Sequence, residues 1–374
     1  MNIKTITCHC VFNYGASLQA YALQHYLEQQ GHQVEIIDYM PDYYRDRYNI
    51  WYINNITRKG KFFNKYPFLK FPLIPLKNWY MIRTRGRKRA FLKFEKDFMH
   101  ITARQYETID DLRRDPPDAD IYIVGSDQVW NTDMQNGQRP PFYLDFGAPN
   151  IQRVSYAASF GIPLVRKEYV PFVKKQLQNL SKISVREQSG LLVLESLGIR
   201  NGVQVMDPVF LLNTTEWSLL ADKAKDYGLA DNGYILVYDF EHTNPKVQTL
   251  VNKLAKQRRL PIVSVNDHKP LSYADKNIYD AGPLEFLTLI QHASAVVCNS
   301  FHGTAISIIF QKEFYVFPLQ GQRNSERMTD LLDSLGIRSR FELETIVPID
   351  YSTVAPLLQK NREKSMDYLR SIQL

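Results

Sequence analysis

Along the chain, short apolar runs alternate with longer stretches in which apolar residues recur every three to four positions. Ile3 to Val11 reads as a strand, and Asn13-Tyr14-Gly15 breaks it. From Ser17 to Gln30 the apolar positions Leu18, Tyr21, Ala22 and Leu27 follow helical spacing, and Gly31 supplies a stop. Val34 to Tyr39 is a second strand. Strand, helix and strand make a βαβ unit whose short loop lies at the carboxyl end of its first strand.

The same rhythm continues. Strands are predicted over Ile121–Val124, Val154–Ser159, Lys182–Val185 and Val203–Val205, with helices over Val170–Leu180 and Ser189–Leu197. Asp207 to Trp217 reads as a linker, after which the pattern restarts. Strands Tyr234–Tyr238, Pro261–Val265, Ala295–Cys298 and Phe314–Phe317 alternate with helices Pro245–Gln257, Pro283–His292 and Gly303–Gln311. Thr353 to Ser371 is a final helix. The expectation is an α/β protein with two Rossmann-like domains facing across a central cleft. The first covers residues 1–206 and is expected on the acceptor side, with an aromatic and basic insertion at about 41–100 that includes a helix at about 80–100. The second covers 207–350 and is expected on the donor side, and the helix of 351–374 is expected to pack back on the first.

Composition narrows the class. Of 374 residues, 44% are hydrophobic and 23% charged, which argues against wholesale disorder. Three cysteines do not make a disulfide framework and fit a reducing compartment. No basic segment followed by a long apolar run opens the chain, and no stretch has the length of a spanning helix. A cytoplasmic protein is expected, with possible attachment at the inner membrane face. The net charge of +7 is concentrated in one segment. Residues 58–93 hold twelve basic side chains, among them Arg85, Arg87, Lys88 and Arg89, and no acidic one. Eight aromatic residues are interleaved with them. Such a patch suits phosphates of an anionic lipid, a pyrophosphate-linked substrate or a nucleic acid. The chain carries no nucleic-acid fold signature, so nucleic acid is not the expected partner.

Several chemistries lack their residues. There is no G-x-G-x-x-G fingerprint and no G-x-x-x-x-G-K-[ST] loop, which disfavours a dinucleotide dehydrogenase or a P-loop ATPase. There is no H-E-x-x-H and no paired C-x-x-C. In Cys8-His9-Cys10, strand alternation puts the thiols on one face and the imidazole on the other, as buried core thiols rather than a metal site. No metal and no cofactor is expected.

Ligands of open α/β sheets bind at the carboxyl ends of strands. Five loops fall there: Asn13–Ala16, Gly125–Asn131, Ser155–Gly161, Ser184–Glu187 and Asn299–Thr304. In the last, backbone N–H groups at Gly303 and Thr304 open a helix and offer an anion site. His302 beside them is either a proton donor or a satisfied histidine in a capping motif. Asp127 is either a base for a hydroxyl or a loop carboxylate. Trp130 either stacks on a sugar or anchors the core. Gly15 either admits a ligand to the backbone or relieves a turn. Tyr156 and Ser159 either line the cleft or pack.

Taken together, the motifs are similar to those of the polysaccharide pyruvyl transferase family. The similarity runs from Asn13–Leu23 through Val124–Asn131, Ser155–Ser159, Ser184–Glu187 and Asp207-Pro208. It continues through Gly282–Leu287 and Asn299–Gly303 to Arg327. The resemblance implies a GT-B-like fold and transfer of pyruvyl from phosphoenolpyruvate, with phosphate released. The product would be a cyclic ketal on a hexose, galactose-type, of a bacterial surface polysaccharide or its lipid-linked precursor. The resemblance implies a donor-binding role for Arg186 and places Ser300-Phe301-His302 at the cleft; with the residues read above, the expected roles are His302 and Asp127 catalytic, Arg186, Ser300, Gly303, Thr304 and Arg327 on the donor, and Asn13, Tyr14, Gly15, Trp130, Tyr156 and Ser159 on the acceptor. The family's Arg-Leu-His stretch is replaced here by Ser300-Phe301-His302, so Arg327 or Arg323 is expected to supply the missing charge. Two other readings stay open, a GT-B glycosyltransferase using a sugar nucleotide and a non-catalytic anion- or nucleic-acid-binding protein.

Overall fold

The structure is a computed structural model and describes residues 1–47, 65, 84–266, 269–319 and 325–372. Five short strands, β1 (Asn2–Ile6), β2 (Gln33–Tyr39), β3 (Ile101–Tyr106), β4 (Ile121–Val124) and β5 (Gln152–Ser155), form one parallel sheet in the order β3-β2-β1-β4-β5. Strands β6 (Ser184–Val185) and β7 (Val203–Gln204) pair separately. A second parallel sheet follows, from β8 (Ile235–Tyr238), β9 (Ile262–Val265), β10 (Lys276–Ile278), β11 (Ala295–Cys298) and β12 (Phe314–Val316). Its order, β10-β9-β8-β11-β12, repeats that of the first. Strands β4, β8 and β11 are buried along their length, as their unbroken apolar sequences require. In each sheet the order reverses beside the first strand, between β1 and β4 and between β8 and β11. Those two switch points are where crevices open in such sheets.

The connections are helical: α1 (Tyr14–Gln29), α2 (Asp42–Arg47), α3 (Arg85–Phe98), α4 (Ile109–Arg114), α5 (Val170–Leu177) and α6 (Gln188–Ser196) accompany the first sheet. Helices α7 (Thr214–Ala221), α8 (Pro245–Arg258), α9 (Pro283–Gln291), α10 (Phe301–Ile309), α11 (Glu326–Ser334) and α12 (Tyr351–Arg370) accompany the second. Helix α12 returns to the first sheet. The Tyr368 hydroxyl donates to the Ser155 carbonyl at 2.9 Å, and the Ser365 hydroxyl accepts from the Met206 N–H.

Three expected elements differ in a way that matters for the site. The strand expected over Ile3–Val11 ends at Ile6, so Thr7 to Asn13 becomes a loop. The strand expected over Val154–Ser159 ends at Ser155, and its continuation is held by isolated bridges from Ala158 to Asp127 and to Val185 and by single hydrogen bonds such as Tyr156 N–H to the Val124 carbonyl. The helix expected from Gly303 begins at Phe301, because Ser300 caps it. Thr214 to Ala221, partly inside the expected linker, is helical, with Asn213 and Glu216 forming a reciprocal cap. The edge strands β3 and β10 were not expected, since Ile101–Tyr106 is half-exposed and Lys276–Ile278 has a single buried residue. Of the basic and aromatic segment 58–93, only Lys65 and residues 84–93 lie among the described residues, as Arg323 does not. No helix of the described residues is long and apolar enough to cross a membrane.

Candidate active site

The two halves meet at the helix starts that follow β1 and β11. Asn13 caps α1, its side-chain oxygen accepting from the Ala16 N–H at 3.2 Å. Ser300 caps α10, accepting from the Gly303 N–H at 3.3 Å. The two helix starts face each other so closely that a Cβ on Gly15 would lie 1.9 Å from His302 Nδ1. Gly15 therefore admits the His302 ring to the backbone of α1. Beside it Tyr14 is fully buried and ties the halves together. Its ring stacks on Phe286 at 4.4 Å, and its hydroxyl donates to the Ala281 carbonyl at 3.2 Å.

On the other side of its ring, His302 meets Asp207. Its Nε2 lies 3.4 Å from Asp207 Oδ2, and Arg186 Nη1 donates to the same oxygen at 2.8 Å. Ser126 Oγ donates to it at 2.9 Å, and the Val209 N–H donates to Asp207 Oδ1 at 3.1 Å. Asp207 is 1% exposed. Burial would push its carboxyl up, but the His302 imidazole beside it and the hydrogen-bonded Arg186 guanidinium outweigh this and hold it well below the usual carboxylate range. Asp207 is thus a buried carboxylate clamped between one cation from the first half and one imidazole from the second.

Arg186, at the end of β6, is equally enclosed. Its Nε lies 3.4 Å from Glu187 Oε2, and Glu187 in turn accepts from Ser159 Oγ at 2.7 Å. The guanidinium lies over the Phe301 ring at 4.3 Å. Burial opposes its charge, yet Asp207, Glu187 and Asp127 keep its pKa raised. Its third nitrogen, Nη2, is buried with no hydrogen-bond partner and lies 4.0 Å from Asp127 Oδ1. Arg327 of α11 also has a buried, unpartnered nitrogen, its Nε. Burial and the neighbouring Arg186 charge push the Arg327 pKa down to about 10. Arg186, Arg327, Asp207, Phe301 and Lys364 line one pocket of about 70 Å³. Its lining thus joins two guanidinium groups with unfilled donors and Lys364 to the carboxylates Asp207 and Asp330, an excess of donors that suits an anion with several oxygens.

A larger cavity, of about 270 Å³, opens at the two switch points. The first half contributes Asn13, Arg87 and Asp127, and the second contributes Tyr238, Asp239, Phe240 and Asn266. Asp127 ends β4's loop at φ +74°, a left-handed conformation that aspartate tolerates better than most residues. Arg87 of α3 is 8% exposed, lies over the Tyr14 ring at 4.3 Å, and donates to the Phe12 carbonyl and the Tyr14 hydroxyl.

The structure brings together His302, Arg186, Asp127, Arg327, Gly15 and Asn13, and it separates other residues expected there. The Gly303 N–H and the Thr304 N–H and hydroxyl are taken by Ser300, so they are occupied in capping rather than open to an anion. Tyr14 is an interdomain anchor rather than a cleft wall. Trp130 is fully buried, stacks on Tyr143 at 5.8 Å and donates to the Phe142 carbonyl, which places it in the core. Tyr156 is fully buried, and burial followed by the Asp207 charge pushes its pKa well up. Ser159 supports the site from behind, its hydroxyl donating to Glu187 and its N–H to the Asp127 carbonyl at 3.0 Å. Asp207, Glu187, Asp239 and Asn266 carry no individual role in the sequence reading, and Arg87, expected in a basic patch for phosphates, is instead buried against Phe12 and Tyr14. Asp207 has a signal as a carboxylate before proline at the joint of two α/β blocks, and Glu187 as a member of the strand-end loop Ser184–Glu187. Cys8, Cys10 and Cys298 are buried free thiols, and the described residues hold no cluster of metal ligands.

A family model described as polysaccharide pyruvyl transferase matches residues 13–320. No curated protein matches the sequence. Among solved structures, the chain is similar to a protein of Listeria monocytogenes assigned as a UDP-N-acetylglucosamine 2-epimerase, at 10% identity and a TM-score of 0.50. That similarity covers 97% of this chain and 89% of the other. The UDP-GlcNAc 2-epimerase of Neisseria meningitidis, bound to UDP-GlcNAc, aligns over 100% of this chain and 93% of its own at 11% identity and a TM-score of 0.47. At these identities the Listeria likeness speaks for the fold alone, and with the twin parallel sheets it makes the architecture GT-B-like.

Proposed function

The chain belongs to the polysaccharide pyruvyl transferase family, and from that premise we propose that it transfers pyruvyl from phosphoenolpyruvate to a hexose as a cyclic ketal. The acceptor is a galactose-type hexose of a surface polysaccharide or its lipid-linked precursor. The observation that carries this reading is a pocket lined by two guanidinium groups, each with one buried unfilled donor, Nη2 of Arg186 and Nε of Arg327, with Arg186 joined to His302 through Asp207. Phosphoenolpyruvate presents a carboxylate and a phosphate, and planar forked donors suit both.

The chemistry follows from the donor's structure. A proton goes to the terminal vinyl carbon, and positive charge develops at the carbon bearing the phosphate oxygen. One sugar hydroxyl adds to that carbon. Phosphate leaves with the electron pair of its C–O bond, and a second hydroxyl closes the ring. One proton enters at carbon and two leave the hydroxyls, so the sequence balances with inorganic phosphate as the by-product. His302 is the proposed proton carrier, since Asp207 lies against its Nε2 and stabilises the imidazolium. Asp127 is the proposed hydroxyl base. Arg186 and Arg327 hold the anionic ends. The basic helix α3 supports contact with a pyrophosphate-linked acceptor near an anionic lipid surface.

The reading predicts acceptor-dependent phosphate release. The purified protein with phosphoenolpyruvate alone stays at background, and adding a galactose-terminated glycan raises release. Arg327→Met is expected to raise the KM for phosphoenolpyruvate by about tenfold or more, the scale of one lost charge-assisted hydrogen bond. Glycan-dependent consumption of a sugar nucleotide, with phosphoenolpyruvate untouched, would contradict the reading.

A further inference from the structure

We propose that the second-domain wall of the large cavity is the acceptor subsite, and that it selects a neutral sugar ring by accepting its hydroxyl protons at Asp239 and Asn266. The inference rests on the transfer reading for its reaction but not for its binding chemistry. Asp239 follows β8 and Asn266 follows β9, so both stand at carboxyl ends of adjacent strands, beside the switch point. They are 3% and 4% exposed. Asp239 Oδ1 is filled by the Asn299 amide at 2.6 Å and by the Glu241 N–H at 2.9 Å, while its Oδ2 is buried with no partner. Asn266 is fixed in one orientation, because its Nδ2 donates to Ser264 Oγ at 2.7 Å and to Asn277 Oδ1 at 3.3 Å. That leaves Asn266 Oδ1 buried without a partner.

Both residues line the cavity of about 270 Å³. Two enclosed oxygens with unfilled lone pairs call for donors. A phosphate supplies none and meets two carboxylates, Asp239 and Asp127, against one cation, Arg87, which already donates to the Phe12 carbonyl and the Tyr14 hydroxyl, so a nucleotide diphosphate is a poor occupant. A hydroxylated ring supplies several. Phe240 adds the apolar complement. It lines the same cavity, is 46% exposed, and leans on Tyr238 with ring centroids 4.8 Å apart. An exposed aromatic face next to buried acceptors matches the C–H face and hydroxyl edge of a pyranose. Asn13 and Asp127, across the cavity, then meet the same ring from the first domain.

The test uses methyl β-D-galactopyranoside and the methyl glycosides of glucose, mannose and N-acetylgalactosamine. Binding to the full chain is read by saturation-transfer NMR without phosphoenolpyruvate, and the acceptor and donor KM values by phosphate release. In Asp239→Asn, the Asn299 donor keeps an oxygen at Oδ1 and so turns an amide NH2 into the cavity. This variant is expected to weaken the glycoside signal and raise the acceptor KM by about tenfold or more, with the KM for phosphoenolpyruvate unchanged. Asn266→Ala and Phe240→Ala are expected to act in the same direction, and retained circular dichroism and thermal midpoint exclude misfolding. A glycoside signal that Asp239→Asn removes, in a protein without phosphoenolpyruvate turnover, upholds the subsite and overturns the transfer reading. Turnover whose acceptor KM is unchanged in all three variants overturns the subsite and leaves the transfer reading standing. No signal from any glycoside, or a thermal shift given by magnesium alone, also overturns it.

Discussion

Alanine at position 302 is expected to lower turnover at least ~10²-fold, the usual contribution of a positioned proton donor. The expected loss falls on kcat, because His302 acts on the developing charge rather than on the bound substrate. Its position supports this. One ring edge is 3.4 Å from a buried carboxylate, and the other lies against Gly15, where a Cβ would approach within 1.9 Å. A ring held on both sides has little freedom, so its geometry is set before substrate arrives. Gly15→Ala is accordingly expected to reproduce much of the His302→Ala defect, since the methyl group needs the space the imidazole fills. A His302→Ala enzyme with wild-type kcat would remove the imidazole from the chemistry.

The largest loss of stability is expected from Asp207→Ala. Asp207 is the counter-charge of Arg186 and has only 1% of its surface exposed. Breaking a buried pair from one side costs on the order of 3–5 kcal/mol, and the longer contacts of Arg186 to Glu187 and Asp127 put the expected loss at the lower end of that range. The sign of the pH dependence follows from the lowered pKa. A carboxyl held below its unfolded value of about 3.9 stabilises the fold fully above that value. The contribution is lost as pH falls from there through the lowered folded value. Chemical denaturation of the wild type and of Asp207→Asn between neutral pH and strongly acid pH checks this. The wild type should lose stability toward acid more steeply than the variant, and parallel curves would contradict the assignment.

The architecture was readable because β4, β8 and β11 are apolar runs and helical repeats recur between the strands. Ile121–Val124 and Ala295–Cys298 need no tertiary information to be recognised. The edge strands β3 and β10 carry too few buried residues to leave a pattern. The site was partly readable. His302, Arg186 and Asp127 lie at strand ends, where a ligand-binding loop is expected. Tyr14 and Trp130 lie there too, yet both are buried anchors, since a loop sequence does not say which of its aromatic residues turn inward. Ser300 illustrates a second limit. Its hydroxyl faces the start of α10 and caps it, a use set by where the helix begins, two residues before the expected start. Asp207 was assigned to a linker because its partners lie 21 and 95 positions away in sequence, and only the folded chain brings Arg186 and His302 to one oxygen.

The account stands on the claim that an anionic enol ester delivers its three-carbon unit at the Arg186–Asp207–His302 cluster. The direct measurement is the mass of a galactose-terminated acceptor after incubation with the protein and phosphoenolpyruvate. The expected product is heavier by one pyruvate less one water, appears in step with inorganic phosphate, and is absent with His302→Ala. An acceptor that gains a hexose from a sugar nucleotide, or gains nothing while the protein binds phosphoenolpyruvate, would contradict it.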